Sequence, residues 1–324
     1  MKHVSILVPQ HAVLAAVEDP RYMLTMVNGF LQDSGHPPLF DIHLVGTTRQ
    51  VELHDSRFTV NVDTLIDDVK KTDLVFVPAI TGDLHEAIEA NRSLYPWIVN
   101  QYRNGAEVAS LCIGAFLLAS TGLLDNRQCS SHWQTANDFR IMFPDVTLVD
   151  DRIITEDHGL YTSGGANSYW NLLLYLVERY TDRKTAITAA KVFAIDIDRT
   201  SQSHFIMFRG QTRHGDEHVR KAQDFIEENY QERLTVDQLA NLVAIGRRSF
   251  ERRFKNATRN TVNEYIQRVK IEVAKKQLEQ GSKQVAEVMY DVGYSDTKTF
   301  RQIFKRITGL TPVDYRNKYS RQHP

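Results

Sequence analysis

The sequence has few cysteines and no long apolar run. Its 324 residues include two cysteines, Cys112 and Cys129, which are too few for a disulfide framework or for a zinc site built on cysteine. No stretch is apolar enough over membrane length, and the first apolar run, Val4 to Val8, has the length of a strand rather than of a signal peptide. We therefore expect a cytoplasmic protein whose cysteines stay reduced.

The chain also lacks a strong net charge, since its formal charge at pH 7 is −1. That value conceals two regions of opposite sign. From Gly210 to the end there are 22 Lys and Arg against 15 Asp and Glu, whereas the preceding residues contain 17 against 25. Because a basic region attracts phosphate and an acidic one is repelled by it, only the C-terminal region is expected to meet nucleic acid. A chain of this length is sufficient for two domains.

One pattern occurs twice in the basic region. The first copy has two phenylalanines, two threonines and a tyrosine, at Phe250, Phe254, Thr258, Thr261 and Tyr265. The second copy follows fifty residues later, at Phe300, Phe304, Thr308, Thr311 and Tyr315. A short apolar helix and a glycine-containing turn precede each copy, which is the outline of a helix-turn-helix.

The phenylalanines of each copy are four residues apart, so they share the buried face of one helix, and basic residues fill the other face. Such a helix suits the major groove of DNA, although one copy alone would equally fit an amphipathic hairpin with a solvated face. The predicted recognition helices cover residues 247–257 and 296–308. The outward residues expected to contact DNA are Arg247, Arg248, Glu251, Arg252, Thr297, Lys298, Arg301 and Gln302. Which of them contact bases and which contact phosphates stays open.

The last hundred or so residues, which include the repeat from Leu234 to Tyr315, resemble the DNA-binding domain of AraC-type transcriptional regulators. The second copy carries most of the resemblance, in the run from Val285 to Ser295 and in the run from Gly309 to Pro312. The resemblance implies two helix-turn-helix units bridged by a long helix, which we predict over Val262 to Gln280.

The two copies differ after the recognition helix. The family often has Gly and Pro there, as the second copy does at Gly309 and Pro312, whereas the first copy has Arg259 and Val262. We therefore expect the two units to differ in how firmly they hold DNA.

The region before the repeat alternates apolar strands with helices. The predicted strands are at 4–9, 40–46, 73–78, 107–112 and 160–165, and the helices are at 20–32, 83–90, 95–104, 113–120 and 168–179. This alternation predicts a mostly parallel sheet in a flavodoxin-like three-layer α/β fold. The repeat that follows it predicts an all-α domain with two helix-turn-helix units. The predicted domains are 1–205 and 218–322, joined by a polar, glycine-containing linker over 206–217.

The strand-to-helix junction at Cys112 is the candidate functional point of the α/β region. The run from Ser110 to Gly114 places one residue on a tight turn between a strand and a helix, as in a nucleophile elbow. The helix N-terminus would favour the Cys112 thiolate and would offer N–H groups to an anion. The alternative is that Cys112 is a small buried apolar residue at the end of a strand.

The run from Leu111 to Trp133 resembles the PfpI-type, class I glutamine-amidotransferase-like domain, and this resemblance extends over about residues 4–195. In that family a histidine follows the elbow cysteine at the distance of His132. Enzymatic members usually have an acidic residue near the cysteine, but the corresponding position holds Ala16, with Glu18 out of register. The resemblance therefore implies an inactive domain with vestigial catalytic residues, Cys112 and His132.

A ligand pocket is expected at the Cys112 turn, because open α/β sheets bind ligands at the carboxyl ends of their strands. Its predicted residues are Cys112, Ile113, His132 and Trp133. Tyr169 and Trp170 are either an aromatic wall for a cationic ligand or ordinary core residues of a helix. His132 is either a ligand contact or a structural histidine.

The two resemblances together imply a sequence-specific DNA-binding transcription regulator that is controlled by a small metabolite. The expected partners are double-stranded DNA, a small-molecule effector and a second copy of the chain, with RNA polymerase as an open candidate. We expect no cofactor, no metal, no membrane contact, and a location in the cytoplasm at the nucleoid. Two alternatives stay open: a cysteine-dependent hydrolase or amidase tethered to DNA, with activity at Cys112, and an architectural DNA-binding protein without a ligand.

Overall fold

The structure is a computed structural model that describes residues 1–212 and 214–320. The chain divides into an N-terminal unit, Met1–Gln202, and a C-terminal unit, Ser203–Pro324. Arg213 of the predicted linker, and Arg321 and Gln322 of the predicted DNA-binding domain, lie outside the described residues. Among the described helices, none combines the length and the apolar character needed to cross a membrane.

The N-terminal unit alternates strands and helices. Its strands are β1 (Lys2–Leu7), β2 (Phe40–Gly46), β3 (Gln50–Leu53), β4 (Phe58–Asn61), β5 (Thr64–Leu65), β6 (Leu74–Val77), β7 (Glu107–Ser110), β8 (Gln128–Cys129), β9 (Thr147–Leu148), β10 (Ile154–Asp157) and β11 (Leu160–Ser163). Its helices are α1 (Leu14–Asp33), α2 (Leu84–Ala90), α3 (Leu94–Arg103), α4 (Ala115–Ser120), α5 (Ala136–Met142), α6 (Tyr169–Tyr180) and α7 (Arg183–Val192).

Seven strands form the central sheet in the order β10-β11-β7-β6-β1-β2-β5. All neighbours in it are parallel except β10 and β11, which form an antiparallel edge. Successive residues of a strand point to opposite faces. Val4 and Ile6 of β1 accordingly pack in a core with α1, α6 and α7, and Leu7 packs in the opposite core with α3 and α4. The predicted mostly parallel, three-layer α/β fold is confirmed.

Helix α1 begins at Leu14, so the predicted start near Pro20 was wrong. The prediction placed proline in the first turn, where its missing N–H costs nothing. In the structure Pro20 lies inside the helix, and the residues before it are held by the backbone bond from Val13 N to Ala79 O. Burial of Ala16 and Val17 in the core offsets the hydrogen bond that Pro20 cannot make.

The C-terminal unit is helical. Its helices are α8 (Glu217–Glu228), α9 (Val236–Leu242), α10 (Arg247–Thr258), α11 (Val262–Gln280), α12 (Val285–Asp291), α13 (Thr297–Thr308) and α14 (Pro312–Tyr319). Helix α11 contributes Tyr265 to one core, around Phe250 and Phe254, and Leu278 to a second core, around Phe300. The pairs α9–α10 and α12–α13 are called the first head and the second head below. The all-α fold with two helix-turn-helix units is confirmed.

Part of the predicted linker packs against α11 within the C-terminal unit. The ring of Phe208 lies edge-on to Tyr265 with centroids 5.1 Å apart, and its N–H donates to Glu272 at 3.0 Å. Nζ of Lys275 donates to the carbonyl oxygen of Ile206 at 2.6 Å. Residues 206–208 are therefore fixed to the helical unit.

Candidate functional site

The turn after β7 brings Cys112 to the carboxyl end of the central sheet. Cys112 has a left-handed backbone with φ +55°, and its N–H donates to Ser163 Oγ at 3.0 Å. Two residues later the chain passes so close to β6 that a Cβ on Gly114 would lie 2.4 Å from the carbonyl oxygen of Val77. Only glycine fits that approach, so Gly114 lets the turn remain tight.

The side chain of Cys112 is buried, and its sulfur is held as a neutral thiol and not as a thiolate. Cys112 is 5% exposed, and burial raises its pKa to about 11, although backbone N–H groups of Ala166 and Ile113 near the sulfur oppose the shift. The N–H groups at this turn lower the thiol pKa, as expected of a helix N-terminus, but by less than burial raises it. A single 3₁₀ turn, Cys112–Gly114, and the six-residue α4 follow the cysteine, and desolvation outweighs their effect.

His132 lies beside the loop after β11 but is not arranged as a base for Cys112. Its Nδ1 accepts the N–H of Gln134 at 3.0 Å, and burial lowers its pKa, which favours the neutral ring. The ring packs so tightly on Gly165 that a Cβ there would be 2.5 Å from His132 Cδ2. In the described part of the chain no hydrogen bond joins His132 to Cys112.

Sequence reasoning missed a carboxylate that contacts Tyr169 beside this site. Ala16, the position aligned with the family's acid, is fully buried in the core, and Glu18 pairs with Arg21. Asp19 instead accepts a hydrogen bond from the hydroxyl of Tyr169, and burial raises the pKa of Asp19. The pKa of Tyr169 is raised by burial, by Asp19 and by the nearby Cys112. Because this contact joins residues 150 positions apart, no local pattern indicates it.

The aromatic residues near the turn belong mostly to the core. Tyr169 is 7% exposed, in the same apolar cluster as Cys112, and Ile113 packs against that cluster. Trp170 stacks on Tyr169 and lies against Phe193, with ring centroids 6.2 and 5.2 Å apart respectively. Of the two interpretations, core packing is therefore the one that the geometry of Tyr169 and Trp170 favours.

Three residues with left-handed backbones follow the carboxyl ends of three parallel strands. They are His11 after β1, Cys112 after β7 and Ala166 after β11, with φ values of 62°, 55° and 46°. Non-glycine residues in this region are uncommon, and such strain concentrates at ligand-binding and catalytic sites. A separate cavity of about 250 Å³ lies beside β10 and α6, and none of the predicted pocket residues lines it.

The recognition helices expose matching faces. In both helices the buried phenylalanines point into the core, and every predicted DNA-contacting residue except the half-buried Glu251 is exposed. The first head also has acidic residues on or beside this face. Arg247 forms ion pairs with Asp237 at 3.0 Å and with Glu251 at 3.5 Å.

The exposed face of α13 carries no acidic residue. Lys298, Arg301 and Lys305 lie along it, and Arg306 donates a hydrogen bond to Gln267 of α11. In the first head, Arg252 and Lys255 instead line a cavity of about 230 Å³ at the start of α11, together with Thr261. Both faces are cationic, and within α13 itself no acidic residue opposes that charge.

The junction between the heads is closely packed. A Cβ on Gly293, in the turn of the second head, would lie 2.0 Å from the carbonyl oxygen of Gln231. Nζ of Lys270 donates to the carbonyl oxygen of Glu232 at 3.2 Å and to that of Gly293 at 3.5 Å. Tyr230 packs against both apolar cores. The heads are therefore held at a fixed spacing along α11, which is about 28 Å long.

Comparison with known proteins gives one family for each unit. Residues 38–179 match the DJ-1/PfpI family, and residues 239–318 match a helix-turn-helix domain. The HTH-type transcriptional regulator GbdR of Pseudomonas aeruginosa is 25% identical over 269 residues, which is 83% of this chain and 72% of GbdR. CdhR of the same species, also an HTH-type transcriptional regulator, is 24% identical over 86% of this chain and 82% of its own length.

The chain therefore combines a DJ-1/PfpI domain with an AraC-type helix-turn-helix domain.

Solved structures agree with this fold. An AraC family transcriptional regulator from Pseudomonas putida has 19% identity and a TM-score of 0.50, covering 60% of this chain and all of that one. A THiJ/PfpI family protein from Pseudomonas syringae has 16% identity and a TM-score of 0.51, covering 75% of this chain and 91% of that one. The two family matches confirm the predicted combination of a PfpI-type domain with an AraC-type domain.

Proposed function

We propose that this DNA-binding regulator contacts two successive major-groove segments of its operator with the two heads of one chain. The observation that carries this is the repeated recognition helix, because α10 and α13 bury equivalent phenylalanines and expose equivalent cationic faces. Their proposed contact residues are the eight predicted from the sequence, Arg247, Arg248, Glu251, Arg252, Thr297, Lys298, Arg301 and Gln302. A second copy of the chain and RNA polymerase are proposed as further partners, in the cytoplasm at the nucleoid.

Binding-site selection from random-sequence DNA tests this proposal. The purified chain should enrich sequences with two constant segments whose centres lie about 10 base pairs apart, one turn of the duplex. An architectural protein would instead enrich no sequence, and its affinity would follow salt concentration alone.

We also propose that the N-terminal unit binds a small effector at the Cys112 turn, with Cys112, Ile113, His132 and Trp133 as its contacts. The support is the strained backbone at His11, Cys112 and Ala166, together with the position of the turn at the carboxyl edge of the sheet. The effector would find a neutral thiol and a neutral imidazole there.

Metabolite screening by thermal unfolding tests the effector site. A true effector should raise the unfolding temperature of the full chain and lose that effect in His132→Gln. The exposed His36 provides the matched control, since His36→Gln should respond like the original chain. A metabolite whose effect survives both changes would place the effector site elsewhere.

The alternative, a cysteine-dependent hydrolase, predicts a reactive thiolate at Cys112 instead of a neutral thiol. With a pKa of about 11, only about one Cys112 in a thousand is a thiolate at pH 8, against roughly one in four for a free cysteine. Alkylation by iodoacetamide should therefore be at least about 100-fold slower than for free cysteine, and should rise with pH up to about 11. Rapid alkylation at pH 7, with amide turnover abolished in Cys112→Ser, would favour the enzyme.

The raised pKa also has a consequence for stability. A thiol whose folded pKa exceeds its unfolded value stabilises the fold fully below the unfolded pKa of about 8.5. That contribution is then lost as the pH rises toward about 11, the folded value for Cys112. The stability difference between the original chain and Cys112→Ala should shrink over this range in urea unfolding.

A further inference from the structure

Two histidines and an aspartate meet on one face of the sheet, far along the strands from the Cys112 turn. His3 and Asp41 are register partners on β1 and β2, and His43 lies two residues beyond Asp41 on the same face. Nε2 of His3 is 3.0 Å from Asp41 Oδ2, and Nε2 of His43 is 3.0 Å from Asp41 Oδ1. One donor atom from each of the three residues lies within 4.8 Å of the others.

The surroundings combine partial access with an unsatisfied nitrogen. The two imidazoles stack with centroids 5.1 Å apart, and their side chains are 50% and 32% exposed for His3 and His43. Nε2 of His43 is itself shielded from solvent and has no hydrogen-bond partner among the described residues. The nearby Asp41 oxygen therefore lies outside hydrogen-bonding direction. A shielded ring nitrogen without a partner is costly, and coordination to a cation would satisfy it.

We propose that His3, Asp41 and His43 bind a Zn²⁺ ion. Two imidazole nitrogens and one carboxylate oxygen are a zinc ligand set, and water would complete a tetrahedron. Bonds of about 2.0–2.1 Å at tetrahedral angles separate ligand atoms by about 3.3 Å. Each imidazole nitrogen is 3.0 Å from an Asp41 oxygen, and the three donor atoms lie within 4.8 Å of one another, so side-chain rotations would bring them to that separation. Mg²⁺ and Ca²⁺ prefer all-oxygen sites and should bind poorly.

Zinc titration of the full chain against a chromophoric chelator tests this site. The original chain should bind one more Zn²⁺ than His43→Gln, or bind that ion at least about 10-fold more tightly. His36→Gln is the matched control, because it removes an exposed histidine outside the cluster and should change nothing. Asp41→Asn keeps the shape of the side chain but not its charge, and should weaken the site by a similar factor.

Co²⁺ gives a second readout that does not depend on stoichiometry. It should produce the visible absorption of a four-coordinate site in the original chain and in His36→Gln, and lose it in His43→Gln and Asp41→Asn. Equal Zn²⁺ uptake by all four chains would overturn the site and leave Asp41 as a plain ion-pair partner of the histidines. Unchanged unfolding temperatures without metal would show that the variants fold, and unchanged DNA binding would separate this site from the regulator's DNA-binding function.

Discussion

The two heads and the helices after them make the same hydrogen bonds at equivalent positions. In the first head the hydroxyl of Thr258 donates to the carbonyl oxygen of Phe254 at 2.8 Å, and in the second Thr308 donates to that of Phe304 at 2.9 Å. The helix that follows each head, α11 or α14, has a buried tyrosine whose hydroxyl donates to a glutamate at 2.6 Å, in the pairs Tyr265–Glu227 and Tyr315–Glu279. The threonines thus cap the last turn of each recognition helix, and the tyrosines join α11 to α8 and α14 to α11.

The heads differ where the backbone turns. The left-handed turn residue is Ala244 in the first head, with φ +52°, and Gly293 in the second, with φ +76°. The recognition helix of the first head ends at Arg259 in the left-handed region, whereas the second ends at Gly309. The second head therefore has glycine at both positions where the backbone is left-handed, Gly293 and Gly309. Gly293 is also required by the close packing at the junction between the heads. In the first head the left-handed alanine, Ala244, lies at an exposed position.

The largest expected effect comes from exchanging the turn residues. Gly293→Ala adds a Cβ 2.0 Å from the carbonyl oxygen of Gln231 and puts alanine in a left-handed conformation. We expect a loss of roughly 2–5 kcal/mol in the free energy of unfolding, measured in urea. Ala244→Gly, the matched change in the first head, should stay within about 1 kcal/mol of the original chain. Similar losses in both variants would contradict the account of the junction.

The second-largest effect is expected on operator affinity, when exposed arginines of the recognition helices are replaced. Arg252→Ala and Arg301→Ala should each weaken operator binding by about 1–3 kcal/mol, because each removes a donor suited to guanine or phosphate. Mobility shifts at one fixed salt concentration measure this. Lys276, exposed on α11 outside both faces, provides the control variant Lys276→Ala, whose affinity should stay near that of the original chain. Unchanged affinity in both arginine variants would remove α10 and α13 as the helices that contact DNA.

A smaller effect, on the unfolding temperature, is expected from changing the residues that cap the N-termini of the two recognition helices. Asp296 caps α13 by accepting the N–H of Thr299 at 2.7 Å, whereas Gly246 at the start of α10 supplies no side-chain cap. Asp296→Ala should lower the unfolding temperature by about 3–5 °C, and Gly246→Asp should raise it by no more than about 2 °C. Calorimetry distinguishes the two. An unaffected Asp296→Ala variant would mean that packing alone defines the start of α13.

The smallest effect is expected at the helix C-termini. Arg259→Gly relieves a left-handed arginine, and we expect a gain of about 0.5 kcal/mol once the greater freedom of glycine in the unfolded chain is included. Gly309→Ala should cost about 1 kcal/mol. Urea unfolding gives the change in the free energy of unfolding for each variant. Destabilisation by Arg259→Gly would show that the arginine side chain contributes a contact of its own.

The sequence predicted those parts of the molecule that depend on local signals. Helix α11 was predicted over Val262 to Gln280 and is found there, because Thr261 caps its start and Gly281 adopts the left-handed conformation at its end. The start of α1 was missed because a proline inside a helix resembles a proline at its beginning. Helix α5 and the antiparallel strand β10 were missed as well.

The chemistry of the Cys112 turn was less predictable than its position. The tight turn follows from Gly114, which neighbours it in the sequence. The pKa of the thiol depends on burial by distant segments, and the Asp19–Tyr169 contact depends on how α1 packs against α6. The cluster of His3, Asp41 and His43 likewise arises from strand register, which no spacing along the chain reveals.

The most direct test of two heads acting as one unit is the spacing of their DNA segments. An operator obtained by selection should lose most of its affinity when 5 base pairs are inserted between its segments, because half a turn of the duplex places the second segment on the opposite side. Binding should fall to the level of an operator with a single intact segment, and a 10-base-pair insertion should not restore it, since the junction at Gly293 and Lys270 fixes the spacing. Full affinity after the 5-base-pair insertion would contradict the account.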